Sequence, residues 1–377
     1  MQPTHKYLSN LTPLRGIAAL WVVVFHFSEI VAKFVSTDRS FLLTKGYLMV
    51  DLFFIMSGFI IYHVYQQSFQ SSLLSKRFRL FIVARFARVY PLHFFTLLIF
   101  VLLVAITGGW NPVQNPAAIP TNLLLLHSFG IHKIFTWNVP SWSISAEWWA
   151  YMAFPFLAIF IYRKKRLAIG LLGLFVVLAY LAIMFWIPRV NFFDPTLPAR
   201  QNLDVTFDYG FLRGLAGFIL GMLLYKTYEA GLFWKLFQND ITAFLIIIGS
   251  IFCMHFGFND GFNIILFAAL IFSLARNNGR LHVLCNSRLP QYLGKISYSI
   301  YLVQIIPLIP VFAGLKLPGL IYSQRLVTTS FWIGVGYCLI YLMLVIGVAS
   351  LTYYTIEKPC RKYINARWGK ERMPVYA

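Results

Sequence analysis

Leu14-Arg15-Gly16-Ile17-Ala18-Ala19-Leu20-Trp21-Val22-Val23-Val24-Phe25-His26 decides the fold. It is an apolar run too long for an ordinary strand, it does not alternate polar with apolar residues, and it continues to about residue 34. That length fits a helix crossing a bilayer, and nine further runs resemble it. They lie near 46–66, 90–108, 142–162, 167–187, 207–226, 241–257, 261–276, 292–313 and 331–353. The seventh and eighth are short and are separated only by Asn259-Asp260-Gly261. The expectation is an all-α polytopic membrane protein of about ten transmembrane helices. It forms one domain over 1–377, with a cytoplasmic tail at about 357–377.

Composition agrees. Of 377 residues, 59% are hydrophobic and 12% are charged, with a mean hydropathy of +0.71. Soluble domains carry about 25% charged residues, so a soluble globular enzyme and a disordered chain are excluded. A transmembrane barrel is disfavoured because the apolar runs are continuous. The net charge of +20 would point to nucleic acid in a soluble protein. Here the basic residues cluster between apolar segments. With ten spans and cytoplasmic termini, 23 of the 32 basic residues fall in cytoplasmic segments and 8 on the other side. That is a strong positive-inside bias, so both termini are expected in the cytoplasm and no nucleic-acid partner is expected. Cys253, Cys285, Cys338 and Cys360 are scattered without a CxxC. They read as buried thiols without a role. The first run lacks a convincing cleavage site and reads as a span rather than a signal peptide.

Ionisable groups inside spans are costly and mark polar cavities. Arg15 and His26 are eleven residues apart, which leaves about 20° of offset and about 16 Å of rise on one helix face. Glu29 lies one turn beyond His26 and can orient an imidazole. Asp51 opens the second run, and Ser143 and Glu147 are i, i+4 in the fourth. Gln304 lies about 18 Å into the ninth. Helix arithmetic sets His26, Asp51, Ser143, Glu147 and Gln304 at similar depth. Arg85 and Arg88, at i, i+3 before the third run, can face one anionic ligand together. Each has a plainer reading. His26 can be a core histidine, and Arg15 can snorkel at a helix end. Arg85 and Arg88 can be ordinary topological charge. Glu147 can pair with Arg213, and Ser143 can bond its own backbone. Glu357 and Lys358 read as a surface ion pair. His63, His93, His127 and His255 read as satisfied polar residues. No metal-site spacing, P-loop or Rossmann fingerprint is present.

Several segments resemble the acyltransferase-3 family of integral membrane acyltransferases, nearly end to end. Leu14 through His26 is similar to its arginine-ten-residues-histidine opening, and Val50-Asp51-Leu52-Phe53-Phe54-Ile55-Met56-Ser57-Gly58-Phe59 to its second-span signature. Arg85-Phe86-Ala87-Arg88-Val89-Tyr90-Pro91 resembles its RxxR block, and Trp142-Ser143-Ile144-Ser145-Ala146-Glu147 its SxxxE block. Arg213-Gly214-Leu215-Ala216-Gly217-Phe218, the Leu293–Leu302 stretch and Ile356-Glu357-Lys358-Pro359 are similar to its later motifs. Gln304 departs from the pattern, since many members have His there, and is read as substrate positioning. The chain ends soon after the tenth run, so the extra extracytoplasmic hydrolase-like domain of some members is not expected.

The resemblance implies transfer of an acyl group, commonly acetyl, from cytoplasmic acyl-CoA as co-substrate, with no permanently bound cofactor. The acceptor is a hydroxyl of a carbohydrate: a surface polysaccharide, an oligosaccharide or a glycolipid. Expected partners are acyl-CoA, that acceptor, the lipid bilayer and polysaccharide-assembly proteins. The expected location is a bacterial cytoplasmic membrane. His26 is the first candidate base, or a transient acyl carrier. Glu147 and Asp51 stand with it as catalytic candidates. Arg15, Arg85 and Arg88 are donor-binding candidates, and Glu29, Ser143, Arg213 and Gln304 acceptor-binding or orienting ones. The competing class is a secondary transporter of a polar or anionic small molecule or glycan precursor, which also needs buried polar groups.

Overall fold

The computed structural model describes residues 7–31, 34–69, 75–108, 113–187, 202–309, 321–322, 327–328 and 330–369. Within these the chain is helical, apart from a two-residue antiparallel strand pair, Ile321–Tyr322 with Val327–Thr328. The α-helices are α1 (Leu11–Ile30), α2 (Met49–Tyr65), α3 (Ser75–Thr107), α4 (Ile119–Leu123), α5 (Trp142–Arg163) and α6 (Lys165–Leu181). They continue with α7 (Gly210–Glu229), α8 (Trp234–Phe237), α9 (Asp240–His255), α10 (Asp260–Arg276), α11 (Arg280–Cys285) and α12 (Arg288–Lys295). The last are α13 (Ser297–Val303), α14 (Phe331–Thr352) and α15 (Lys358–Trp368).

The expected count of about ten spans is corrected to six. Among the described residues, the helices long and apolar enough to cross are Leu11–Ile30, Thr44–Phe69, Lys76–Thr107, Val139–Arg163, Lys165–Trp186 and Phe331–Trp368. They correspond to the first five expected runs and the tenth. The other four fail for separate reasons. Helix α7 has twenty residues, but Arg213, Lys226 and Glu229 dilute its apolar character. Helices α9 and α10 have 16 and 17 residues. At 1.5 Å per residue these fall short of the roughly 30 Å hydrocarbon core. The ninth run breaks after α12 and again after the seven-residue α13, and its last residues lie outside the described set. The protein is an all-α, polytopic integral membrane protein.

The chain divides into two compact units. One takes Phe54–Leu232 with the described residues from Ile356 onward; the other takes Leu8–Phe53 and Phe233–Thr355. In the first, α7 packs on α5 and α6, and α3 packs on α5 and α15. The approach of α7 to the Phe54–Tyr65 part of α2 is set by glycine. A Cβ at Gly58 would lie 1.9 Å from the Phe218 carbonyl oxygen, and one at Gly221 would lie 2.0 Å from that of Ile55. In the second unit, α1 packs on α12, α13 and α14, and α9 pairs with α10. Here too glycine sets the contact. A Cβ at Gly16 would meet the Gly294 nitrogen at 2.7 Å, and one at Gly294 would meet the Thr12 oxygen at 2.0 Å.

Candidate active site

Helix α1 carries His26 one turn from its end, on a partly exposed face. Its Nδ1 lies 3.1 Å from Gln304 Oε1 and 3.1 Å from the Val22 carbonyl oxygen. Gln304 is fully buried just after α13. Its Nε2 donates to the Tyr301 carbonyl at 2.7 Å. A carbonyl can only accept, so the amide nitrogen faces Tyr301 and the amide oxygen faces His26. Nδ1, set between two acceptors, therefore carries the proton, and Nε2 keeps its lone pair. That is the tautomer a general base requires. A further support is Tyr341 of α14, whose hydroxyl donates to the Gln304 carbonyl at 2.7 Å. Gln304 therefore lies against the His26 imidazole, a placement open to the orienting role expected of it.

Arg15 and Glu29 sit on α1 with His26, Arg15 beside the glycine that packs on α12 and Glu29 in the last turn. Asp51, fully buried, occupies the first turn of α2, where the helix dipole favours a carboxylate. These groups belong to the second unit.

A different cluster lies in the first unit. Glu147 of α5 accepts hydrogen bonds from Ser57, at 2.8 Å, and from Tyr151 one turn along. Ser57 and Tyr151 also touch each other at 3.0 Å. The buried Arg85 packs over the Tyr65 and Tyr151 rings at 5.4 and 5.7 Å and donates to the Tyr65 hydroxyl at 3.1 Å. Among the described residues its Nε has no hydrogen-bond partner. Arg88, three residues on, forms an ion pair with Glu357, so the two arginines of the RxxR block do different things. Glu357 ends the π-helical turn Tyr353–Glu357 and is buried, which makes this pair internal rather than a surface one. Arg213 is fully buried, donates to the Val205 carbonyl at 3.1 Å and packs over Trp142 at 5.4 Å. Ser143 donates to the Pro140 carbonyl at 3.2 Å.

The four other histidines named from sequence all have hydrogen-bond partners: His63 with Tyr225, His93 with the Asn122 carbonyl, His127 with Ser141, and His255 with Ser40. Burial, then the neighbouring His93, push His127 down to about 3. It stays neutral at working pH. Among the described residues no group of three or more His, Cys, Asp or Glu could hold a metal ion.

Sequence reasoning missed Ser57, Tyr65, Tyr151 and Tyr341. Two left a signal: Ser57 stands inside the second-span signature, and Tyr151 is at i+4 from Glu147. Tyr65 and Tyr341 left none.

Six helices are thus long and apolar enough to cross a membrane, one unit sets His26 against Gln304, and the other groups Glu147, Ser57, Tyr151 and Arg85. The chain belongs to the acyltransferase-3 family, whose profile, described as an acyltransferase domain, matches residues 9–354. It is 30% identical over 168 residues to the acyltransferase MdmB of Streptomyces mycarofaciens, a match covering 41% of this chain and 40% of that protein. It is 35% identical over 125 residues to protein 2 in the picA locus of Rhizobium radiobacter, covering 33% of this chain and 56% of that protein. The matches thus span about half the length of these curated relatives. No solved structure matches the chain.

Proposed function

We propose that the protein transfers an acyl group, with acetyl the first candidate, from cytoplasmic acyl-CoA to a carbohydrate hydroxyl. The acceptor class is a surface polysaccharide, oligosaccharide or glycolipid. The observation that carries this reading is the His26–Gln304 pair, which leaves Nε2 as a base on a partly exposed helix face. In the step proposed, Nε2 takes the acceptor's hydroxyl proton while the oxygen attacks the thioester carbonyl. The C–S bond then breaks, and the imidazolium returns the proton to the departing CoA thiolate. The products are an O-acyl ester, free CoA and the starting imidazole.

Arg85 binds donor phosphate in this scheme. Support comes from a guanidinium that meets tyrosine rings and a hydroxyl and keeps an unpartnered Nε. Arg15 and Arg88 are the other donor-binding candidates. Glu147 and Asp51 hold acceptor hydroxyls or tune the base. Glu29, Ser143 and Arg213 line or orient the acceptor.

The proposed location is a bacterial cytoplasmic membrane, in contact with polysaccharide-assembly proteins, with both termini in the cytoplasm. The basic clusters at 76–88, at 163–166 and at 358–367 support this orientation.

The test is incubation of membranes with labelled acetyl-CoA. Base-labile label should enter the carbohydrate fraction in proportion to the amount of protein. Label confined to CoA and acetate would count against the acceptor class. No turnover and no binding of any acyl-CoA would bring the transporter reading forward.

A further inference from the structure

The segment that leads from α1 into α2 is tied to the hairpin of α9 and α10, all within one unit. Ser40 Oγ and His255 Nδ1 share a hydrogen bond of 2.8 Å, and the Phe41 N–H donates to the His255 carbonyl at 3.1 Å. Charge-assisted ties follow. Asp260, buried in the first turn of α10, accepts from Lys45 Nζ at 2.7 Å on one carboxylate oxygen and from the Tyr47 hydroxyl at 2.8 Å on the other. Lys45 also donates to the Phe258 carbonyl.

Lys45 and Tyr47 stand in a 3-10 turn, Thr44–Leu48, that runs without a break into α2. Asp51 therefore lies one turn past Tyr47 on a continuous helical run. The same turn leans on α1 beside His26. A Cβ at Gly46 would lie 2.4 Å from the Phe25 Cβ and 3.2 Å from Trp21 Cδ1. The Phe25 ring meets that of His26 at 5.0 Å and that of Tyr47 at 6.2 Å. One buried carboxylate on α10 thus fixes a turn that touches the helix of His26 and begins the helix of Asp51. Desolvation offsets much of the attraction within a buried ion pair, so net stability does not account for it. Two directional bonds to one carboxylate do define a single placement of the turn.

We propose that Asp260, through Lys45 and Tyr47, is a positioning residue for acyl transfer, setting His26 of α1 and Asp51 of α2 in register. The inference rests on the proposed acyl-CoA function. It brings α10, which supplies none of the candidate catalytic or binding residues, into the frame that aligns them.

The experiment follows label from acetyl-CoA into the carbohydrate fraction of membranes with a measured content of folded protein. It reads kcat per folded molecule and the KM for acetyl-CoA. Asp260→Asn and Lys45→Met should lower kcat about tenfold or more with KM unchanged, because a small misplacement of reacting groups is costly in rate. Lys45→Arg keeps the charge and should restore most of that rate. Ser40→Ala cuts a tie in the same segment away from the carboxylate and should keep the native kcat. Tyr47→Phe removes one hydroxyl only. It should lower kcat at native yield, and it decides the matter if the charge variants fail to fold. A native kcat per folded molecule in Asp260→Asn, or in Tyr47→Phe where only that variant folds, would overturn the inference while leaving the acyl-CoA function standing. So would a loss in Ser40→Ala as large as that in Asp260→Asn, or a raised KM at native kcat. No transfer by the native protein would overturn the proposed function and this inference with it.

Discussion

His26 works as a base only while Nδ1 keeps its proton, and Gln304 Oε1 is one of the two acceptors that hold it there. Gln304→Leu removes that acceptor at almost constant volume. Loss of a partner that fixes a catalytic tautomer is costly, so kcat should fall about tenfold or more, with the KM for acyl-CoA little changed. Gln304→Leu with normal kcat would make the contact structural only. Arg88 and Glu357 form the other decisive pair. Their side chains are 11% and 1% exposed, so the pair is held largely away from water. Arg88→Ala should cost about 3–5 kcal/mol of stability, whereas exposed pairs are worth about 1 kcal/mol or less. Thermal unfolding in nanodiscs measures it. A stable Arg88→Ala protein with a raised KM for acyl-CoA would instead assign Arg88 to the donor.

At the scale of elements, the family motifs divide into packing and chemistry. Gly16, Gly58 and Gly294 each stand in a motif, and each permits a backbone approach that a single added carbon would block. Replacing Gly58 or Gly221 with Leu should therefore lower the folded membrane yield severalfold, since overpacking costs about 1–3 kcal/mol or more. Gly170, on α6 with nothing within 4 Å of its Cβ position, should accept Ala with unchanged yield. A quantitative membrane blot compares them. Much of this was legible in the sequence. The six helices long and apolar enough to cross coincide with six expected runs. Four expected spans failed because an apolar run fixes neither the length of a helix nor how far charged residues dilute it. Arg213, Lys226 and Glu229 sit within α7, and the ninth run breaks at Lys295–Ser297. Tyr341 and Tyr65 were invisible because each acts on a residue of another segment, and no spacing within one helix encodes such a contact.

For the whole molecule, charge and helix order carry the orientation. If both termini face the cytoplasm, Cys360 of α15 lies on that side. A variant retaining Cys360 alone should react with a membrane-impermeant thiol reagent only after the membrane is opened. Labelling in intact cells would reverse the proposed orientation.

The central claim is that His26 drives acyl transfer to carbohydrate, and the most direct measurement is the O-acyl content of surface and secreted glycans. Cells carrying the native protein are compared with cells carrying His26→Ala at equal membrane abundance. Loss of a positioned base removes about 10²–10⁴-fold in rate, so one O-acyl signal should fall to background. Unchanged O-acylation in the His26→Ala cells would contradict the account.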